Sequence, residues 1–411
     1  MSHALPRSDA EPCDLWRRGT REGLGLRYLF YTNECVGLGH LRRALNLARA
    51  VTDRDPAASA LIVTGSPLAS DYILPERVDV ITLPLLTRDA HGRHHARRLA
   101  VSGRHVHEVR GALAAAAASS FAPDVAVVDK TPLGLRGELV PALDQLAKAG
   151  CRLVLGLRDI DDEPERVVQA WSSLRAEIER RYDAILIYGP PAGTDALACL
   201  DWDDLQLPVH HVGYVSRAPS TVTPPGLVQP YLLVTVGGGT DGAPLLRAYL
   251  AAIRLQPVPL RSVLVTGPLM AAEDVAAVHA AAVGLDTEVL PFRADMEAVI
   301  AGARAVVAMA GYNTVSEIVQ AGTPVLLVPR VSPSREQLVR AEQLVADGLA
   351  RMLHPDRIDP ATLRAALDDL LTRGPIRPLQ PPPGGARAAA DVLHRLAGDG
   401  IAVVRDVEVA V

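Results

Sequence analysis

Aromatic side chains are scarce in this 411-residue chain: Phe, Trp and Tyr together make up 4%. That scarcity argues against a surface that stacks the bases of single-stranded nucleic acid. Neither sign of charge dominates, since 42 Lys and Arg face 47 Asp and Glu for a net charge of −5. A nucleic-acid or anionic-membrane binder acting through its whole surface is therefore disfavoured. The four cysteines, Cys13, Cys35, Cys151 and Cys199, are far apart and form no C-x-x-C. They indicate neither a disulfide framework nor a zinc knuckle, and reduced thiols in a cytoplasm fit them best. No apolar run reaches membrane-span length, so no integral membrane segment is expected. The first residues are polar and charged, without the apolar core of a signal peptide, and residues 1–26 read as a mobile tail.

What is present is an alternation of short apolar runs, glycine-containing loops and helical periodicity. Tyr28–Thr32 is followed by Gly37-Leu38-Gly39-His40 and then by Leu41, Leu45, Leu47, Ala48 and Val51 at helical spacing. Further apolar runs at residues 60–64, 78–83, 124–129, 152–157 and 184–188 read as strands, with helical stretches between them. Such a sequence predicts an α/β fold with a parallel sheet covered on both faces. A polar, proline-rich stretch at residues 216–229 reads as a linker. The pattern then restarts with Leu232–Val236, Gly237-Gly238-Gly239-Thr240, and runs at 262–266, 287–290, 305–308 and 324–328. Two Rossmann-like domains facing across a cleft are expected, residues 27–215 and 230–385. A helix within 386–411 is expected to return to the first of them.

The most informative segment is Ala310 to Ala341, AGYNTVSEIVQAGTPVLLVPRVSPSREQLVRA. Ala310, Gly311, Tyr312, Asn313 and Thr314 open a helix, and the small Ala310 and Gly311 leave its positive end open to an anion. Glu317, one turn further in, can accept hydrogen bonds from two vicinal ribose hydroxyls. The bland alternative is a surface or capping glutamate, but Val315, Ile318 and Val319 mark a largely buried helix. Glu336-Gln337 pairs an acid with an amide, suited to bracketing the hydroxyls of a pyranose or simply to starting a solvated helix. Gly237, Gly238 and Gly239 offer amides free of side chains and Thr240 adds a hydroxyl, a phosphate-binding composition; a flexible hairpin is the other reading. The loop lacks the Gly-Lys-Ser/Thr ending of a triphosphate-hydrolysing loop. Phe292, Arg293 and Met296 follow a strand, where backbone groups can read a base edge.

Gly37 and Gly39 make a glycine pair between strand and helix, but Arg42 stands where a dinucleotide fingerprint needs its third glycine. His40, at the head of that helix, can take a proton from an acceptor hydroxyl or merely cap the turn. Asp129, at a strand's carboxyl end, can orient His40 and stabilise its charged form, or cap its own turn. No metal site is expected. Asp201-Trp202-Asp203-Asp204 contains an Asp-x-Asp pattern but lies outside the strand–loop framework. The five histidines between His91 and His107 match no zinc spacing and read as a solvated loop, or as a basic flap over an anionic acceptor.

Together these residues resemble the GT-B glycosyltransferases, most nearly family 28 and the peptidoglycan N-acetylglucosaminyltransferase type. Residues 310–317 resemble the family's small-residue helix start with its ribose-binding glutamate. Arg335-Glu336-Gln337 with Ala341 resembles its sugar-contacting element, and Gly37–His40 and Gly237–Thr240 resemble its two glycine loops. Glu336 stands where the peptidoglycan enzyme carries an amide, so that enzyme's sugar specificity does not transfer. The resemblance implies a nucleoside diphosphate sugar as co-substrate, no cofactor, inversion at the anomeric carbon, and an acceptor met by His40; the chain departs from it in showing no hydrophobic membrane-docking patch near the N-terminus, so a small-molecule acceptor is expected. A homodimer is compatible with it. A sugar-nucleotide 2-epimerase of the same fold, and a non-catalytic nucleotide-sugar-binding auxiliary protein, are the rival readings.

Overall fold

The computed structural model describes residues 25–33, 39–88, 94–190, 197–200, 202, 204–217, 224, 226–227, 230–372 and 384–398. Gly37 and the polar tail at residues 1–24 lie outside these residues. So do most of the 216–229 stretch and Asp201 and Asp203.

The first half builds a seven-stranded sheet from β1 (Arg27–Thr32), β2 (Ser59–Thr64), β3 (Val78–Thr82), β6 (Val125–Asp129), β7 (Arg152–Arg158), β8 (Ala184–Tyr188) and β9 (Val209–His211), in the order β3-β2-β1-β6-β7-β8-β9. β4 (Leu86–Arg88) and β5 (His94–Ala96) form a separate antiparallel pair. The second half builds a six-stranded sheet from β10 (Tyr231–Thr235), β11 (Arg261–Val265), β12 (Thr287–Leu290), β13 (Ala305–Ala308), β14 (Val325–Leu327) and β15 (Arg351–Met352), in the order β12-β11-β10-β13-β14-β15. Every pairing within these two sheets is parallel. Parallel strands covered on both faces need unbroken apolar sequences, and β8 and β10 are buried at all five positions.

The helices between are α1 (Gly39–Arg54), α2 (Gly103–Phe121), α3 (Val140–Lys148), α4 (Pro164–Trp171), α5 (Arg175–Arg181), α6 (Ala243–Leu255), α7 (Ala272–Ala282), α8 (Met296–Gly302), α9 (Tyr312–Ala321), α10 (Glu336–Ala346), α11 (Pro360–Thr372) and α12 (Gly385–Gly398). α12 packs on α1: Ala389, Ala390 and Leu393 are fully buried in the core that Tyr28, Leu41, Leu47 and Ala48 also line. Burying Leu393 alone contributes about 2 kcal/mol. The chain thus ends its described part on the first sheet's layer after completing the second.

Strand order reverses twice. In the first sheet the reversal lies between β1 and β6, in the second between β10 and β13. At such a switch point the loops leaving the carboxyl ends of neighbouring strands part and open a crevice. The segments leaving β1 and β6 are those that contain Gly39, His40 and Lys130; those leaving β10 and β13 contain Gly237–Thr240 and Gly311. Topology therefore places these segments in two pairs, one at the switch point of each sheet.

Several expectations need correction. The segment with the five histidines is no open loop where it is described: His94 and His95 sit in β5, and His107 is buried in α2, bonded to Glu138 at 3.1 Å. Glu138 also takes Arg110 at 2.8 Å and the Tyr31 hydroxyl, so this cluster belongs to the core of the first half. The 216–229 stretch does not begin as a solvated linker, because Ser216 is buried against Gln320 and Arg217 reaches Glu297 at 2.6 Å. In Asp201–Asp204, Trp202 is buried and Asp204 pairs with Arg175 at 2.8 Å.

Candidate active site

A cavity of about 500 Å³ lies between the two sheets. The sequence-selected Gly39, His40, Gly237, Gly238, Gly239, Thr240, Phe292, Arg293, Met296, Gly311, Tyr312, Asn313, Thr314, Glu317, Glu336 and Gln337 all line it. Ala310 lies just behind, wholly buried, its carbonyl accepting from Arg340 at 3.1 Å.

The wall from the second half is built for an anion. α9 starts at Gly311, which has no side chain to cap the helix, and the first intrahelical bond is from the Val315 amide. The earlier amides of α9 have no intrahelical acceptor and stand at the positive end of the helix dipole. A Cβ on Gly311 would meet nothing within 4 Å, so the space beside it is open. The loop after β10 is tighter. Gly239 has φ +94°, and a Cβ there would lie 2.2 Å from the Thr266 carbonyl oxygen, so only glycine fits.

Glu317 is buried, and its carboxylate splits its partners. Oε1 accepts from Arg42 of α1, across the cleft, whereas Oε2 is out of solvent with no partner. Burial pushes its pKa up more strongly than Arg42 pulls it down. Glu336 is also buried, and its Oε1 takes Arg158 of β7 at 2.5 Å and Arg340 at 2.9 Å. Burial pushes the Glu336 carboxyl up, but Arg158 and Arg340 outweigh it and hold it at about 2. Gln337 turns its Oε1 to the Arg330 amide at 3.0 Å. The acid and the amide thus stand side by side at the cavity, with one oxygen of each already engaged by protein.

On the opposite wall, His40 Nδ1 is 2.7 Å from Asp129 Oδ2. Asp129 also receives Arg43 Nη2 at 2.6 Å and Nε at 3.2 Å, from one helical turn beyond His40. Burial would raise the Asp129 pKa, but Arg43 and His40 together hold it at about 2. Asp129 thus orients the ring, while its charge is matched first by Arg43. That tempers the expectation that it stabilises an imidazolium. With Nδ1–H donated to Asp129, Nε2 carries the lone pair that can accept a proton.

Tyr312 ties the walls together. Its hydroxyl accepts from the Val215 amide at 3.0 Å, and its ring lies between the guanidinium carbons of Arg43 and Arg340, at 5.1 and 5.7 Å. Asn313 Nδ2 donates to the Gly39 carbonyl at 3.1 Å, so the starts of α1 and α9 meet. Phe292 meets Tyr72 of the first half edge-on at 6.0 Å, and Arg293 pairs with Asp295 at 2.6 Å. Arg43 and Arg158 were not singled out from the sequence, and Arg42 stood out only as a break in a glycine fingerprint, not as a site residue. The only available signal was an arginine pair in the first turns of the helix that His40 opens, between the apolar Leu41 and Ala44. Among the described residues no group of three or more His, Cys, Asp or Glu side chains is placed to hold a metal ion, and no helix is long and apolar enough to cross a membrane.

Residues 233–382 match the glycosyltransferase family 28 C-terminal domain. Over 146 residues the chain is 34% identical to the UDP-N-acetylglucosamine--N-acetylmuramyl-(pentapeptide) pyrophosphoryl-undecaprenol N-acetylglucosamine transferase of Mesorhizobium japonicum, covering 35% of this chain and 39% of that protein. The chain thus spans about two fifths of the length of the curated relatives it matches. Among solved structures it is similar to MurG of Acinetobacter baumannii, with a TM-score of 0.57 and 16% identity over 90% of this chain and all of that one. It is similar also to CalG4, the calicheamicin glycosyltransferase, with a TM-score of 0.55 and 19% identity over 91% of this chain and 94% of that one. At such identities these likenesses establish the fold, which is GT-B.

Proposed function

Since the chain has the GT-B fold and carries a glycosyltransferase family 28 C-terminal domain, we propose that it is an inverting glycosyltransferase, moving a sugar from a UDP- or dTDP-type donor to a small-molecule acceptor. One observation carries the reading: a single cavity joins an uncapped helix start, a glycine-walled loop and a buried carboxylate on one side to a His–Asp pair on the other. The α9 amides and the Gly237–Thr240 loop stabilise charge building on the leaving diphosphate. Glu317 holds the ribose, Glu336 and Gln337 meet the sugar, and Phe292, Arg293 and Met296 face the base. His40 Nε2 takes the proton of the attacking hydroxyl as it reaches the anomeric carbon from the side opposite the diphosphate.

The cleft is bridged by Arg42–Glu317 and Arg158–Glu336, which supports a closed arrangement that excludes water and limits hydrolysis of the donor. The family match lies in the donor half, so it does not bring the lipid-linked acceptor named in the peptidoglycan relatives to this chain. A natural product of an antibiotic-type pathway is the acceptor class we favour. The sparse, dispersed cysteines support a cytoplasmic setting.

The test is thermal stabilisation by UDP, dTDP and GDP, followed by product analysis with the matching sugar donor. Selective stabilisation raises the melting point by mass action, and acceptor-dependent transfer with an inverted anomeric bond is expected. Stabilisation by none of the three nucleotides rejects the reading. Conversion of the donor sugar without any acceptor marks an epimerase instead.

A further inference from the structure

Arg42 and Glu317 form the one cavity contact in which the residue read as the ribose anchor is held by the opposite wall. Both line the cavity. Glu317 has a side-chain exposure of 2% and Arg42 of 18%. Glu317 Oε1 is occupied by the guanidinium, and Oε2 is unpartnered and out of solvent. A buried carboxylate oxygen without a donor is costly unless something supplies one. A pair of ribose hydroxyls is such a supply, but it reaches both oxygens only when the neighbour bonded to the first gives way.

Arg42 can give way in a useful direction. It shares the cavity with the start of α9 and the Gly237–Thr240 loop, the two features placed to meet a diphosphate. The other cavity arginines are committed elsewhere: Arg43 to Asp129, Arg158 to Glu336 and Asp161, Arg293 to Asp295, and Arg330 to Asp241. Arg158 too has an expected ligand contact, Glu336, as a partner, but Asp161 holds it as well, whereas the ion pair of Arg42 is with the ribose anchor Glu317. Arg42 also lies between His40 and Arg43, which are fixed to Asp129, so whatever moves Arg42 acts on the helix turn that carries the base.

We infer that Arg42 is an exchangeable positioning residue: it satisfies Glu317 while the donor site is empty, cedes it to the ribose hydroxyls, and turns its guanidinium to the diphosphate. This rests on the donor reading given above. Such an exchange makes the ribose and the diphosphate oppose each other energetically through one side chain. Arg42 weakens binding of a nucleoside, which competes with it and offers no phosphate in return, and strengthens binding of the diphosphate form.

The experiment is calorimetric titration of uridine and UDP into the wild type, Arg42→Met and Arg42→Gln, with dTDP and GDP beside their own nucleosides in the wild type. The Arg42→Met variant is expected to bind uridine several-fold more tightly and UDP about tenfold more weakly, because a charge-assisted contact to phosphate is lost. The ratio of the two dissociation constants then narrows by more than tenfold. Arg42→Gln still donates to Glu317 and guards against a fold weakened by an unpartnered carboxylate; it is expected to leave uridine near wild type and to weaken UDP alone. A wild type that binds UDP, with a nucleoside-to-diphosphate ratio unchanged in both variants, overturns the exchange while leaving the donor site intact. A wild type that binds none of the nucleotides overturns the donor reading and the exchange together.

Discussion

Arg158 Nη1 lies 2.5 Å from Glu336 Oε1, joining the end of a strand in the first sheet to the first turn of a helix beside the second. Both side chains are nearly buried, with exposures of 12% and 10%. Removing one partner of such a pair leaves the other as an uncompensated buried charge, a loss of about 3–5 kcal/mol when the site is dry. Arg340 still holds Glu336, and Lys130 still holds Asp161, so the lower end of that range applies here. Arg158→Met is expected to lower the urea midpoint and to raise the donor KM. An unchanged midpoint would mean that the contact contributes nothing across the cleft.

His40→Ala should separate chemistry from binding. A positioned base contributes about 10²–10⁴-fold to rate, and the imidazole's partners, Asp129 and Arg43, belong to its own wall. Transfer is expected to fall by at least about a hundredfold, with nucleotide affinity within about twofold of wild type. Transfer near the wild-type rate removes His40 from the role of base.

Much of this arrangement was legible from sequence because it rests on backbone. Ala184–Tyr188 and Ala305–Ala308 are strands with the bounds their apolar runs indicate, since a strand buried on both faces admits little that is polar. The glycine loops are legible for the same reason: a positive φ or an open approach writes itself as glycine. β9 and β15, of three and two residues, are too short to show a periodicity, and they form only because a neighbouring strand offers an open edge. The arginines were hidden differently. A buried Arg43 or Arg340 reads like a surface residue of an amphipathic helix until the fold supplies Asp129 and Asp159 from elsewhere. Spacing along one element cannot reveal a partner that arrives from the opposite wall.

Glu317→Ala tests the ribose anchor by comparing ribose with 2′-deoxyribose donors. For a ribonucleotide donor such as a UDP-sugar, the wild type is expected to bind the 2′-deoxy analogue about tenfold more weakly, the worth of a hydrogen bond to a charged group. In Glu317→Ala that discrimination disappears. Equal losses for both donors, with the preference preserved, reject a contact to the 2′-hydroxyl.

Two glycines in the same cavity predict opposite outcomes on one substitution. Gly239→Ala forces a Cβ into the Thr266 carbonyl at a φ of +94°, so it should lower the melting temperature and displace the phosphate loop. Gly311→Ala meets no protein atom within 4 Å and should leave the melting temperature alone. If the diphosphate lies against α9, the added methyl fills ligand space, and the donor KM rises without a stability cost. A Gly311→Ala variant with unchanged donor KM places the diphosphate elsewhere.

Acid should open the cleft before it unfolds the separate cores. Asp129 and Glu336 titrate at about 2 in the folded protein against ordinary values of 3.8 and 4.5. A depressed folded pKa means that the ionised form is favoured by folding. The stabilisation is therefore complete above the ordinary values and is lost as pH falls from them toward 2. Each group is worth about 2–3 kcal/mol by the size of its shift. Glu336 bridges the two walls through Arg158, whereas Asp129 clamps His40 and Arg43 to their own sheet. Urea midpoints measured at pH 5 and pH 3 are expected to differ strongly in the wild type. In Glu336→Gln the difference should shrink, since the glutamine has no proton to take up. An equal pH dependence in the variant would show that the acid sensitivity arises from other carboxylates.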